Sequence, residues 1–207
     1  MSAEPSLMDL AYEERSDLAA FLSTLAPQDW QVPSLCAKWS VKDVVAHVIS
    51  YDELSSTGLF MRFVKGRLIR TNEVGVAEYR TRSTDELLSI LRAHLRPSGL
   101  TAGFGGMIGL VDGTIHHQDI RRALGRPRTV PPHRLTRILP LVPSNPRLGA
   151  GRRIRGLQLR ATDVDWVHGH GPEVIGTGEA LLLAMTGRRQ AAEELTGRGV
   201  PTLLGRL

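Results

Sequence analysis

The densest run of ionisable side chains in the sequence is Asp112-Gly113-Thr114-Ile115-His116-His117-Gln118-Asp119. On a helix that turns roughly 100° per residue, Asp112, His116 and Asp119 fall within roughly 60° of one another. Ile108 and Ile115 border that arc. Two carboxylates and an imidazole at the edge of an apolar face are costly unless they pair or bind a cation. Asp112 and His116 are one turn apart, so both can reach the same ion. The D-x-x-x-H pattern alone is weakly specific, and the bland alternative is a solvated polar flank with an Asp–His hydrogen bond. His117 projects about 100° away from His116 and must serve a different purpose.

A second histidine sharpens the metal reading. His47 borders the apolar face of another helix, with Val44 and Tyr51 on one side and Asp43 on the other. In helical bundles, metal sites are built from side chains on facing helices. His47, Asp112 and His116 together give three ligands and an open position, the pattern of a catalytic zinc site rather than a structural one. The open position can take a thiol and lower its pKa. The alternative for His47 is a core histidine bonded to Asp43 or Tyr51. Cys36 lies eleven residues before His47. At about 1.5 Å rise per residue it is expected beyond reach of that ion, as a small buried side chain. Gly103–Gly109 is glycine-rich but matches neither a phosphate-binding loop nor a dinucleotide turn, and reads as a flexible loop near the pocket mouth. His168 and His170 read as an exposed turn without a third ligand. Trp30, Trp39 and Trp166 read as packing residues.

Four helices must position these groups. Apolar spacing predicts them at about 6–25, 40–69, 84–96 and 107–124. Ser40 with Asp43 forms a capping-box start, and Asp85 and Glu86 suit the first turn of the third helix. The predicted fold is mainly α, an antiparallel four-helix bundle over residues 1–126. Half of the twelve prolines fall between Pro127 and Pro146. Residues 127–150 therefore read as a linker with one short helix near His133–Leu139. Residues 151–207 read as a small αβ extension of two or three strands, a helix over Glu179–Met185 and an irregular tail.

The chain has 207 residues, enough for a sizeable core, and a single cysteine, which excludes an internal disulfide and a multi-cysteine zinc site. The acidic N-terminal stretch lacks the order of a signal peptide. No apolar run approaches the ~20 residues of a membrane span, so a cytoplasmic protein is expected. Net charge is +5, but from Ile120 to Thr162 there are 11 arginines and no acidic residue. Such a stretch attracts anions. Its arginines are scattered through a proline-rich segment without a recognition helix or interleaved aromatics, which argues against nucleic acid. Arg121 and Arg122 are the cations nearest the presumed ligands and the candidates to hold an anionic substrate.

The stretches SLCAKWSVKDVVAHVISYDEL and VDGTIHHQDIRRALGRP resemble the mycothiol-dependent maleylpyruvate isomerase family of the actinobacterial type, a branch of the DinB-like metal-binding four-helix bundles. The pieces LRATDVDW, GHGPEVIGTGEALLLAMTGR and LTGRGV resemble the αβ extension of such proteins. The resemblance implies His47, Asp112 and His116 as ligands of zinc or another divalent metal, with Asp112 where the family's isomerases carry a glutamate. It assigns Asp119 the role of orienting His116. It also implies mycothiol as thiol co-substrate and a small electrophile as its partner, isomerised or S-conjugated. The competing expectation is a non-catalytic metal-binding module, a sensor or partner-binding domain.

Overall fold

The computed structural model describes residues 4–36, 38–67 and 70–207. The chain divides into two compact units, Met1–Pro127 and Arg128–Leu207. The first contains α1 (Leu7–Leu22), α2 (Val41–Ile49), α3 (Ser56–Lys65), α4 (Thr71–Tyr79), α5 (Thr84–Ala93) and α6 (Met107–Ala123). Capping boxes start α1, α2 and α5: Ser6 with Asp9, Ser40 with Asp43, Ser83 with Glu86. Each satisfies backbone N–H groups that the first helical turn leaves without partners. Val41, Val44, Val45 and Val48 are buried and pack with Leu18, Leu22, Leu87, Leu91 and Ile120 into one core. Burial of each such side chain contributes about 1.5–3 kcal/mol.

The helix expected to run from 40 to 69 is shorter. It ends at Ile49, and its last two expected residues, Leu68 and Ile69, lie outside the described residues. Ser50 takes the C-cap, and its hydroxyl donates back to the His47 carbonyl at 3.0 Å. Ser55 then starts α3 by accepting from the Gly58 N–H. Serine hydroxyls that bond to nearby backbone compete with helix continuation. Buried Arg62 ties the break together, donating to the Ser50 carbonyl and to Glu78.

The run of contacts along each pair sets the helix directions. Leu35 with Asp119, Trp39 with His116 and His47 with Asp112 show that α2 and α6 are antiparallel. Gly106 against Met8, Glu14 with His117 and Phe21 with Arg121 show that α1 and α6 are parallel. The crossover through α3 and α4 makes this arrangement possible. It returns the chain so that α5 ends beside the start of α1, where Arg96 pairs with Asp9 at 2.9 Å.

The second unit contains α7 (Pro132–Ile138), α8 (Ala150–Arg153), β1 (Gln158–Ala161), β2 (Val167–Gly169), β3 (Glu173–Gly176), α9 (Gly178–Met185), α10 (Arg189–Ala192) and α11 (Val200–Leu204). The proline-rich segment falls almost wholly within it, with Leu135, Ile138 and Leu139 buried. The sheet order is β2-β1-β3, antiparallel between β1 and β2 and parallel between β1 and β3. Leu159 and Val174 are buried, as is every residue of α9 except Glu179. The tail, expected to be irregular, carries α10 and α11, each too short to show periodicity. His168 lies on β2, not in a turn, and stacks on Trp166 with ring centroids 5.9 Å apart. Among the described residues no helix is long and apolar enough to cross a membrane.

Candidate metal centre

The capping box of Ser40 fixes where α2 begins, and seven residues later it presents His47. The middle of α6 presents Asp112 and His116. His47 Nε2 is 3.4 and 3.5 Å from the two oxygens of Asp112, and His116 Nε2 is 3.4 Å from Oδ1. The two imidazoles are nearly perpendicular, with centroids 4.8 Å apart. One donor atom from each of the three residues lies within 4.8 Å of the other two. Separations of 3.4–3.5 Å are long for hydrogen bonds. They match the edge of a tetrahedron whose centre is ~2.0–2.2 Å from its corners, the bond length of zinc to nitrogen and oxygen. Both histidines are buried, while the Asp112 side chain is 32% exposed and gives the cluster a face toward solvent.

His47 bonds to neither alternative partner. The Tyr51 hydroxyl donates to Asn72 Oδ1 at 2.6 Å, and Asp43 is occupied in the cap of α2. His47 Nδ1 is buried and has no hydrogen-bond partner among the described residues. Its polar neighbour is Asp112, through Nε2, as a ligand would require. Asp119 is fully buried, with Oδ2 2.9 Å from His116 Nδ1. A proton held on Nδ1 by that carboxylate leaves the Nε2 lone pair aimed at the cluster.

Electrostatics fit a cation-binding role. Burial alone would raise the pKa of Asp112, but the charges of His47 and His116 outweigh it and hold the carboxyl well below its ordinary range. Burial alone would lower the pKa of His116, but Asp112 and Asp119 outweigh it and raise the imidazole to about 9. The cluster thus holds a proton tightly when no metal is bound, and a divalent ion satisfies the same carboxylates.

His117 forms a separate network. Arg121 Nε donates to His117 Nε2 at 2.9 Å, which leaves Nδ1 to donate to Glu14 Oε1 at 2.8 Å. A guanidinium can only donate, so this arrangement fixes the His117 tautomer. Arg121 also stacks on Phe21, 3.9 Å from the ring centroid, and is committed to this side of α6. Arg122 is half-buried one position further on.

Two further residues lie near the centre, Cys36 closer than its spacing suggested and Trp39 as a packing residue. Cys36 is not set off along the axis of α2. The loop folds back, with the Leu35 N–H donating to the Asp119 carbonyl, and brings Cys36 Sγ within 4.8 Å of donor atoms of His116 and Asp119. It does not group with His47 and Asp112. Trp39 packs on both imidazoles, 4.9 Å from His47 and 6.3 Å from His116. Its position just before the Ser40 cap was the one sequence signal that could have placed it there.

The fold and the cluster define a helical-bundle protein with a buried two-histidine, one-carboxylate centre that reaches solvent through its carboxylate. Residues 11–96, within the first unit, match the family model of the mycothiol maleylpyruvate isomerase N-terminal domain. A solved structure of the mycothiol-dependent maleylpyruvate isomerase is similar to the chain at a TM-score of 0.63 and 16% identity, over 93% of this chain and 91% of that one. A structure of a histidine-to-alanine mutant of the isomerase aligns over the same shares at a TM-score of 0.56 and 14% identity. No curated protein matches the chain in sequence.

Proposed function

We propose that the protein is a divalent-metal enzyme, with zinc as the first choice of metal. It uses mycothiol to isomerise a small electrophile or to transfer sulfur to it. The observation that carries this reading is the convergence of His47, Asp112 and His116, with Asp119 behind His116, in a chain whose residues 11–96 match the N-terminal domain model of this isomerase family. An ion held by those three residues supplies the means to keep a thiol as its thiolate at neutral pH. Asp119 holds the His116 Nδ1 proton and orients the ring. Trp39 covers both imidazoles and limits water around them. Arg122, which follows Asp119 on α6, is a candidate with Arg121 to orient a carboxylate on the electrophile. In isomerisation, reversible addition of the thiol to an activated double bond permits rotation, and elimination returns the thiol. In S-transfer, the conjugate is the product. A cytoplasmic location accords with a small-thiol co-substrate.

The test combines metal analysis with mycothiol-dependent kinetics on a panel of unsaturated dicarboxylates and other electrophiles. About one zinc per chain and thiol-dependent turnover are expected. His116→Ala should lose both together, whereas Arg122→Ala should raise KM and keep the metal. Unchanged activity in metal-free His116→Ala protein would overturn the mechanism. Zinc and mycothiol binding without turnover on any substrate would favour a metal-binding module instead.

A further inference from the structure

The second unit contains a cavity of about 480 Å³ lined by Arg152, Arg153, Arg155 and Arg206. Among the described residues, none of the four has a carboxylate within ion-pair distance. Their placement is built rather than accidental. Arg153 Nη1 donates to the carbonyls of Leu148 at 2.7 Å and Met185 at 3.1 Å. Its guanidinium is flanked by Gly149 and Gly187, both at positive φ. A Cβ at either glycine would come within 3.1–3.2 Å of an Arg153 nitrogen. Arg206 Nη1 donates to the carbonyls of Arg153 at 2.6 Å and Arg155 at 2.8 Å, which fixes the chain end against α8. Burial and the neighbouring charges of Arg152 and Arg188 lower the pKa of Arg153. Like charges held this close without a counter-charge are a standing cost, which an anion relieves.

We propose that this cavity is a binding site for a small polyanion carrying at least two adjacent oxyanionic groups. Guanidinium forks match such oxygens bidentately. The volume falls in the range of about 300–1,000 Å³ typical of small-molecule pockets, which favours a metabolite over a nucleic-acid backbone. The site lies wholly in the second unit and does not depend on the metal reading.

The test is calorimetric titration of the full chain with inorganic pyrophosphate and, separately, with citrate, at fixed salt. The two arms distinguish a phosphorylated ligand from a polycarboxylate. One saturable site per chain is expected for at least one of them. Arg152→Ala/Arg155→Ala should weaken it at least tenfold. Both side chains are exposed and neither makes a hydrogen bond described above, so the fold should survive, with unchanged circular dichroism and metal content. Arg70→Ala/Arg92→Ala removes the same charge from the first unit and should leave the affinity within about twofold. No saturable binding of either probe would overturn the site. So would an affinity that ignores the Arg152/Arg155 change or falls equally in the Arg70/Arg92 control.

Discussion

His116 has a different duty on each ring nitrogen, and the two can be separated experimentally. Nδ1 faces Asp119 at 2.9 Å and Nε2 faces Asp112 at 3.4 Å. Asp119→Asn keeps the volume but removes the charge that fixes the tautomer. Zinc affinity should fall about 10–100-fold in competition with a chromophoric chelator, the usual effect of altering such a partner. pH separates the states further. In metal-free protein the His116 pKa is raised to about 9, above the ordinary imidazole value near 6.5. Its stabilising contribution is therefore complete below about pH 6.5 and lost as pH rises through about 9. The Tm of metal-free protein should drop between pH 7 and 10, and that of zinc-loaded protein should not show this drop, because the ring no longer titrates. Equal drops in both forms would show that His116 is not a ligand. Cys36 needs its own test, since it sits beside His116 and Asp119 but not His47. Cys36→Ala should retain one zinc per chain, and loss of the metal would make the thiol a ligand.

At the scale of elements, what the sequence made legible follows the strength of local signals. The Ser40–Asp43 box and the valine stripe predict α2, and the Asp112/His116 spacing predicts one face of α6. The break after Ile49 was not legible, because Leu59, Phe60 and Val64 continue an apolar pattern and the competing Ser50 and Ser55 hydrogen bonds have no periodic signature. The parallel run of α1 and α6 was hidden for a related reason. It depends on the crossover through α3 and α4, and α4 was not anticipated. The closeness of Cys36 to His116 and the rings on which Trp39 packs were not legible, because a loop's path is a tertiary property. The α1–α6 contact makes a sharp prediction. Gly106 has φ +94°, and an added Cβ would come 2.7 Å from Met8 Cα. Gly106→Ala should cost about 1–3 kcal/mol in denaturant unfolding, from strained backbone and the displaced helix.

Over the whole molecule, the arginine-rich stretch is not one uniform basic wall. Arg121 serves His117, Arg126 stands 3.5 Å from Asp29, Arg160 pairs with Glu173, and Arg152, Arg153 and Arg155 line the cavity with Arg206. The proposed metal ligands all lie in the first unit. Chelation should therefore lower the calorimetric transition that reports the bundle and leave the Arg128–Leu207 transition in place. A uniform downward shift of both would mean that the units unfold as one. His47 and Asp112 are 65 residues apart in the chain. An ion joining them is a cross-link as well as a cofactor. Closing a loop of that length costs an unfolded chain on the order of 4 kcal/mol in lost entropy on the disulfide estimate. A chain with one cysteine has no internal disulfide to supply that tether. Loading the bundle with metal would fasten it in the same way, by a bond that chelators rather than reductants undo.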